Sequence, residues 1–280
     1  MSFRLDRFLT LYVAHPIQRH TSSERLSVPI LMYHSISDED ESGVHFYYRT
    51  ATSPSIFALH MEFLHQHGYS IISLSDAVDF LLSGPVMTKC AVITFDDGYS
   101  DFYAHAFPTL NRYGFTATVF LSTAYIGTTT AQFKGKNCLT WHQVRELRKH
   151  GVTFGSHTVS HRQLRTLDAS AVNHEVVNSK KVIEDNIGES VDSFSYPFAF
   201  PEEDSAFVGT LRKILANSGY HHGVSTRIGV ARRGEDQYFL RRLPINSQDD
   251  RSLFRAKLQG GYDWLHMLQY ASKFVRANVG

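Results

Sequence analysis

The sequence predicts a parallel α/β fold, with a (β/α) barrel as its leading form, on three observations. First, a helical pattern that ends at a glycine and runs straight into an apolar, β-branched segment occurs four times. Gly68 precedes YSIISL, Gly114 precedes FTATVFL, Gly151 precedes VTFGSH and Gly219 precedes YHHGVS. Second, further apolar runs at Ile30 to Tyr33, Ala91 to Phe95, Ser193 to Tyr196 and Phe239 to Ile245 bring the total to about eight strands separated by helices. Third, the runs PILMYHS, AVITFDDG and VTFGSHTVSH end in polar residues, at the strand ends where such barrels keep their reacting groups.

Taken in order, the N-terminal segment MSFRLDRFLTLYVAHPIQRH carries Arg4 and Arg7 ahead of an apolar stretch, Phe8 to Ala14. That stretch is short and lacks a small-residue cleavage pattern, so residues 1–27 are expected to be an extension retained in the mature protein. Ser37 to Gly43, SDEDESG, reads as a solvated loop. Helix starts are placed at Thr140, which has Gln143 at capping-box spacing, and at Ser75 and Asp168 ahead of their own apolar periods. The stretch DRSLFRAKLQGGYDWLHMLQYASKFV has the periodicity of C-terminal helices, with Trp264 as a packing residue. No low-complexity tract or long linker divides the chain, which favours one domain.

Composition narrows the function classes. The 280 residues are 42% hydrophobic and 20% charged, an ordinary globular balance. A net charge of +1 and scattered Lys and Arg give no field to hold a nucleic-acid backbone, so no nucleic-acid partner is expected. Cys90 and Cys138 form neither a disulfide framework nor a metal motif and suit a reducing compartment. No run reaches the roughly 18 apolar residues of a membrane span. A soluble, cytoplasmic protein is therefore expected.

Asp96 and Asp97 follow a β-branched run and precede a glycine, where a strand leaves the core. Adjacent carboxylates there repel unless a cation or a proton separates their roles, although capping of the next helix is an alternative. His157 and His161, in HTVSH, are four apart, which lets both imidazoles face one side of a turn. With 16 histidines in the chain, roughly one such pair arises by chance, so the spacing alone proves little. Its place at a strand end adds weight. Two imidazoles and one carboxylate make a three-ligand metal site with positions open for water and substrate. Other histidines, including His60, His65 and His67, are assigned no site.

TFDDG, then HTVSH about sixty residues on, then YPF, together resemble the polysaccharide deacetylase family, also called carbohydrate esterase family four, over roughly residues 28 to 200. The resemblance implies a distorted (β/α) barrel spanning residues 28–280 and metal-dependent removal of acetyl groups, above all N-acetyl, from an amino-sugar glycan. By it, Asp96 is the base, and Asp97, His157 and His161 hold the metal. The expected ion is Zn2+, with Co2+, Fe2+ or Ni2+ also suited to a mixed nitrogen and oxygen site. The backbone N–H of Phe198 is implied as an oxyanion donor. The arginine of the family's R-x-P-[FY] motif is replaced by Ser195, and Arg242 is the candidate substitute, an exposed edge-strand charge being the alternative. No late histidine motif follows residue 200. PILMYHS resembles a rearranged branch of the family in which that histidine comes first, which makes His34 the proton donor. The competing expectations are a carbohydrate-binding protein on a degenerate barrel and a hydrolase of non-sugar amides.

Overall fold

A computed structural model describes residues 4–21, 26–45, 48–84 and 89–279. Eight parallel strands organise it, numbered in chain order: β1 Ile30–Tyr33, β2 Ser70–Ile71, β3 Cys90–Phe95, β4 Thr118–Leu121, β5 Thr153–Ser156, β6 Ser193–Ser195, β7 His222–Ile228 and β8 Leu240–Pro244. Each lies on one of the eight apolar runs of the sequence. Their lateral order is β1-β8-β7-β6-β5-β4-β3-β2, and β1 also pairs with β3. The pairing Ile30↔Val92 through Tyr33↔Phe95 closes the ring.

Seven strands, not eight, therefore make the barrel wall. β2 is two residues long and reaches only the start of β3, at Ser70↔Cys90 and Ile71↔Ala91, so it cannot fill a place over the full height. A second irregularity lies between β7 and β8, where the register shifts between Val224↔Leu240 and Ile228↔Arg242. These two features are the distortion of the barrel.

Local signals explain most element boundaries. Gly68, Gly114, Gly151 and Gly219 all have positive φ, the left-handed turn that stops a helix before its strand. Thr140 and Gln143 form the reciprocal capping box of helix Trp141–Lys149. Asp168 caps helix Ala169–Ile187 through Ala171 N. Helix Leu74–Ser83 is capped by Ser73, not by the expected Ser75: the Ser73 hydroxyl accepts from Asp76 N at 3.0 Å, and Ser75 lies inside the first turn. Helices Arg251–Leu258 and Trp264–Val279 occupy the predicted C-terminal positions. Wall residues such as Leu31, Ile93, Val119 and Phe194 are fully buried between strands and helices.

The N-terminal segment is helical from Leu5 to Thr21, through a π-helical turn at Thr10–Ala14. It lies against the C-terminal helices. Asp6 accepts a bond from Tyr262 at 3.0 Å, and Thr10 accepts one from the Trp264 indole at 3.0 Å. No helix among the described residues is long and apolar enough to cross a membrane.

Candidate active site

Parallel pairing points every strand's C-terminal end to one rim, and the candidate residues leave from there. His34 follows β1, Asp96 and Asp97 follow β3, His157 follows β5, and Phe198 follows β6. Together with Thr50, Tyr99, Lys134 and Thr226 they line a cleft of about 160 Å³. Six non-glycine residues among those described have positive φ, and five belong to this rim or its loops: Asp97, Lys134, Thr158, His161 and Phe198. Such backbone costs of order 1–3 kcal/mol per residue and persists where the surroundings demand it. Its concentration here marks the rim as specially built.

Asp97, His157 and His161 offer ligand atoms that all lie within 4.8 Å of one another. The Nε2 atoms of His157 and His161 are 3.5 and 3.2 Å from Asp97 Oδ1. His157 Nδ1 is 2.8 Å from the Ser195 carbonyl, which can only accept, so Nδ1 carries the proton and Nε2 is a bare lone pair. Asp97 Oδ1 is buried and accepts no hydrogen bond among the described residues. A buried carboxylate oxygen facing two imidazole nitrogens fits a divalent cation, and these three residues would be its ligands. Burial opposes ionisation of Asp97, but the His161, His34 and His157 rings together with Lys134 hold its carboxyl far below the ordinary range.

Asp96 stands next to this set in a different environment. Arg242, fully buried in β8, reaches across the barrel and grips it in two-pronged fashion, Nη1 to Oδ1 at 2.8 Å and Nη2 to Oδ2 at 2.7 Å. The guanidinium is itself held by the Ser225 carbonyl and the Thr94 hydroxyl. Ser195 accepts from Arg242 at 3.0 Å and donates to Asp96 at 3.2 Å. Its short side chain leaves the room that the guanidinium from β8 fills. Burial alone would raise the Asp96 pKa, yet Arg242 and His157 bring it down to about 2. His34 Nε2 lies 3.9 Å from Asp96 Oδ2. Burial lowers the pKa of His34 against the pull of Asp96 and Asp97.

Phe198 sits at φ 61°, with its ring 4.7 Å from that of His161 and its N–H free of hydrogen bonds among the described residues. Three further contributors carry no sequence motif. Glu175, buried in helix Ala169–Ile187, accepts from Val159 N, Ser160 N and Ser160 Oγ, which ties down the loop between the two histidines. Lys134, on the turn between Gln132–Phe133 and Lys136–Asn137, holds its ammonium 4.0 Å from Asp97 Oδ2. The Tyr99 hydroxyl group is kept protonated by burial and by Asp97 beside it.

A closed parallel barrel with a carboxylate and two imidazoles converging beside a second, arginine-bound carboxylate has the arrangement of a metal-assisted hydrolase. Comparison with known proteins narrows this class. The family model for polysaccharide deacetylase matches residues 83–221. YxkH of Bacillus subtilis, described as a candidate polysaccharide deacetylase, is 33% identical over 83% of this chain and 76% of its own length. The poly-β-1,6-N-acetyl-D-glucosamine N-deacetylase of Staphylococcus epidermidis is 23% identical over 83% of each chain. The Streptococcus pyogenes deacetylase PplD, solved with acetate, superposes with a TM-score of 0.72 at 24% identity, over 84% of this chain and 99% of that one. The chain belongs to the polysaccharide deacetylase family, metal-dependent hydrolases that remove acetyl groups from carbohydrate.

Proposed function

We propose that the protein hydrolyses the N-acetyl groups of an N-acetylglucosamine-containing polysaccharide or oligosaccharide, releasing acetate, with Asp97, His157 and His161 holding Zn2+. The convergence of three potential ligands beside an arginine-held carboxylate carries this reading. The naming of a relative as an N-deacetylase of poly-β-1,6-N-acetyl-D-glucosamine supports the substrate class. A mixed imidazole and carboxylate set suits zinc, and accepts cobalt, iron or nickel. A cytoplasmic location belongs to the same reading, supported by the two free, buried cysteines.

When bound, a divalent metal polarises the acetyl carbonyl and makes water a stronger acid. The chain's own residues do the rest. Asp96, ionised and oriented by Arg242, takes the proton of the attacking water. The Phe198 N–H donates to the oxygen that gains negative charge as the carbon becomes tetrahedral. His34 gives a proton to the departing nitrogen, so the C–N bond breaks to leave acetate and a free amine. This assigns His34 the part that the rearranged branch gives its first histidine, and Arg242 the part of the missing motif arginine.

Acetate release from β-1,6-linked N-acetylglucosamine oligomers, compared with simple amides and with zinc or cobalt supplied, tests the reading. Asp96→Asn is expected to keep stoichiometric metal and to lose about 10²–10⁴-fold in turnover. Wild-type activity in that variant would remove Asp96 from the role of base. A purified protein that holds no metal and releases no acetate would instead be the carbohydrate-binding protein on a degenerate barrel.

A further inference from the structure

The chain leaves the ladder between β6 and β7 at the residue that carries the free N–H. Ser193, Phe194 and Ser195 pair in parallel with His222, Gly223 and Val224, and Tyr196 N then donates to the Val224 carbonyl at 3.0 Å. A parallel ladder repeats every two residues, so a continued strand would next send Phe198 N to the Thr226 carbonyl. That bond is not made. Gln269, on helix Trp264–Val279, instead donates through Nε2 to the Thr226 carbonyl at 2.9 Å, and its Oε1 accepts from Ile228 N at 3.2 Å. One side-chain amide thus stands where the rest of β6 would have run, along the stretch of β7 whose register with β8 shifts between Val224 and Ile228.

The Thr226 side chain holds the segment that the ladder releases. Its hydroxyl donates to the Phe198 carbonyl at 2.9 Å and accepts from Phe200 N at 2.9 Å. Phe198 has φ 61°, a left-handed conformation that a bulky residue keeps only where its surroundings impose it. Bonds on both sides of Ala199 pin the chain just after Phe198, and with it the direction of the Phe198 N–H. Phe198 and Thr226 line the same cleft as Asp97, His157 and His161.

We infer that Gln269 and Thr226 are positioning residues for the oxyanion donor. Gln269 takes the carbonyl that would otherwise bind the Phe198 N–H, and Thr226 aims that N–H into the cleft. The inference rests on the reading of Phe198 as donor to the tetrahedral oxygen. Charge gathers on that oxygen only as the carbon becomes tetrahedral, so an ill-aimed donor weakens the transition state and leaves substrate binding as it was. The two side chains therefore act on kcat rather than on KM.

Steady-state acetate release by the full chain tests this, together with inhibition by a methylphosphonamide analogue of the acetylated amine, which is tetrahedral at phosphorus. Thr226→Val removes both loop bonds at nearly constant shape and is expected to lower kcat about 10–100-fold, with KM and metal content unchanged. Affinity for the analogue falls by the same factor as kcat/KM. Thr226→Ser, which keeps the hydroxyl, restores most of kcat. Gln269→Leu leaves the Thr226 carbonyl open to the Phe198 N–H and lowers kcat in the same way. Wild-type kcat in Thr226→Val or in Gln269→Leu overturns the inference, as does a loss carried by KM or one that Thr226→Ser shares in full. Replacing Phe198 by phenyllactic acid turns its amide into an ester, which removes the N–H and keeps the ring. A low kcat in the ester beside an unimpaired Thr226→Val defeats the positioning role alone, whereas wild-type kcat in the ester defeats the donor assignment beneath it.

Discussion

Asp96 keeps its charge in a buried place because Arg242 supplies a fixed counter-charge through two parallel hydrogen bonds. Removing one partner of such a pair leaves the other charged and unsolvated, which costs about 3–5 kcal/mol. Arg242→Gln is therefore expected to unfold at lower urea and to change how activity depends on pH. In the wild type, Asp96 has a folded pKa of about 2 against an ordinary 3.8, so its stabilising contribution is present above pH 3.8 and is lost as pH falls towards 2. The acidic limb of wild-type kcat/KM accordingly belongs to another group. In Arg242→Gln, burial acts on Asp96 without its main opponent, its pKa rises, and protonation of Asp96 is expected to add an acidic limb of its own to kcat/KM. Arg242→Lys, which keeps charge but not the two-pronged geometry, falls between. Coincident profiles for all three would show that Arg242 does not hold Asp96 ionised. Asp96 itself stood out in the sequence, being at the end of a β-branched run. The Ser195 hydroxyl, bonded to both partners, did not, because a serine has no pattern that announces a contact 99 residues away.

Caps and turns are short-range physics, so the Thr140 box, the Asp168 cap and the four glycine turns were legible one element at a time. Ser73 and Ser75 are both acceptable caps by type, and the choice of Ser73 depends on where the chain leaves β2, which no local pattern states. Glu175 lay beyond reach for the same reason. Helix Ala169–Ile187 returns along the barrel wall and brings that carboxylate to the backbone of Val159 and Ser160. Those bonds hold the HTVSH turn, in which Thr158 and His161 have strained positive φ. Glu175→Gln puts an amide N–H where one oxygen accepted, and so pushes against donors already present. The turn is expected to loosen and metal affinity to fall about 10–100-fold, as for other groups that support metal ligands from behind. Competition with a chelator measures this. Unchanged affinity would mean that the strained turn is held by its strand alone.

Barrel closure ties the two ends of the sequence together, and His60 is one of its fastenings. From helix Pro54–Gln66 it donates through Nε2 to the Asp249 carbonyl at 2.7 Å and accepts through Nδ1 from Tyr33 in β1 at 3.0 Å, while stacking on Phe254. The sequence offered sixteen histidines and no means of telling a fastening from a ligand, because both are imidazoles on amphipathic segments. The eight strand runs were legible, but the closure with seven was not, since it depends on β2 being too short to join the wall. Burial depresses the pKa of His60 to about 4, and that of His222, buried at the start of β7, to about 4. Each binds a proton near pH 6.5 once unfolded, so the unfolded chain takes up more protons than the native one between those values, and stability falls as pH drops through that window. At pH 5 the loss relative to pH 7 is about 2 kcal/mol for each histidine. His157 is likewise pulled down to about 4 by burial, so urea unfolding of the metal-free protein at the two pH values measures the sum over all the histidines so depressed. His60→Gln cannot titrate and is expected to be less stable at pH 7 but to lose about 2 kcal/mol less than the wild type on acidification. An acid-induced loss as large in His60→Gln as in the wild type would place the pH sensitivity elsewhere in the barrel.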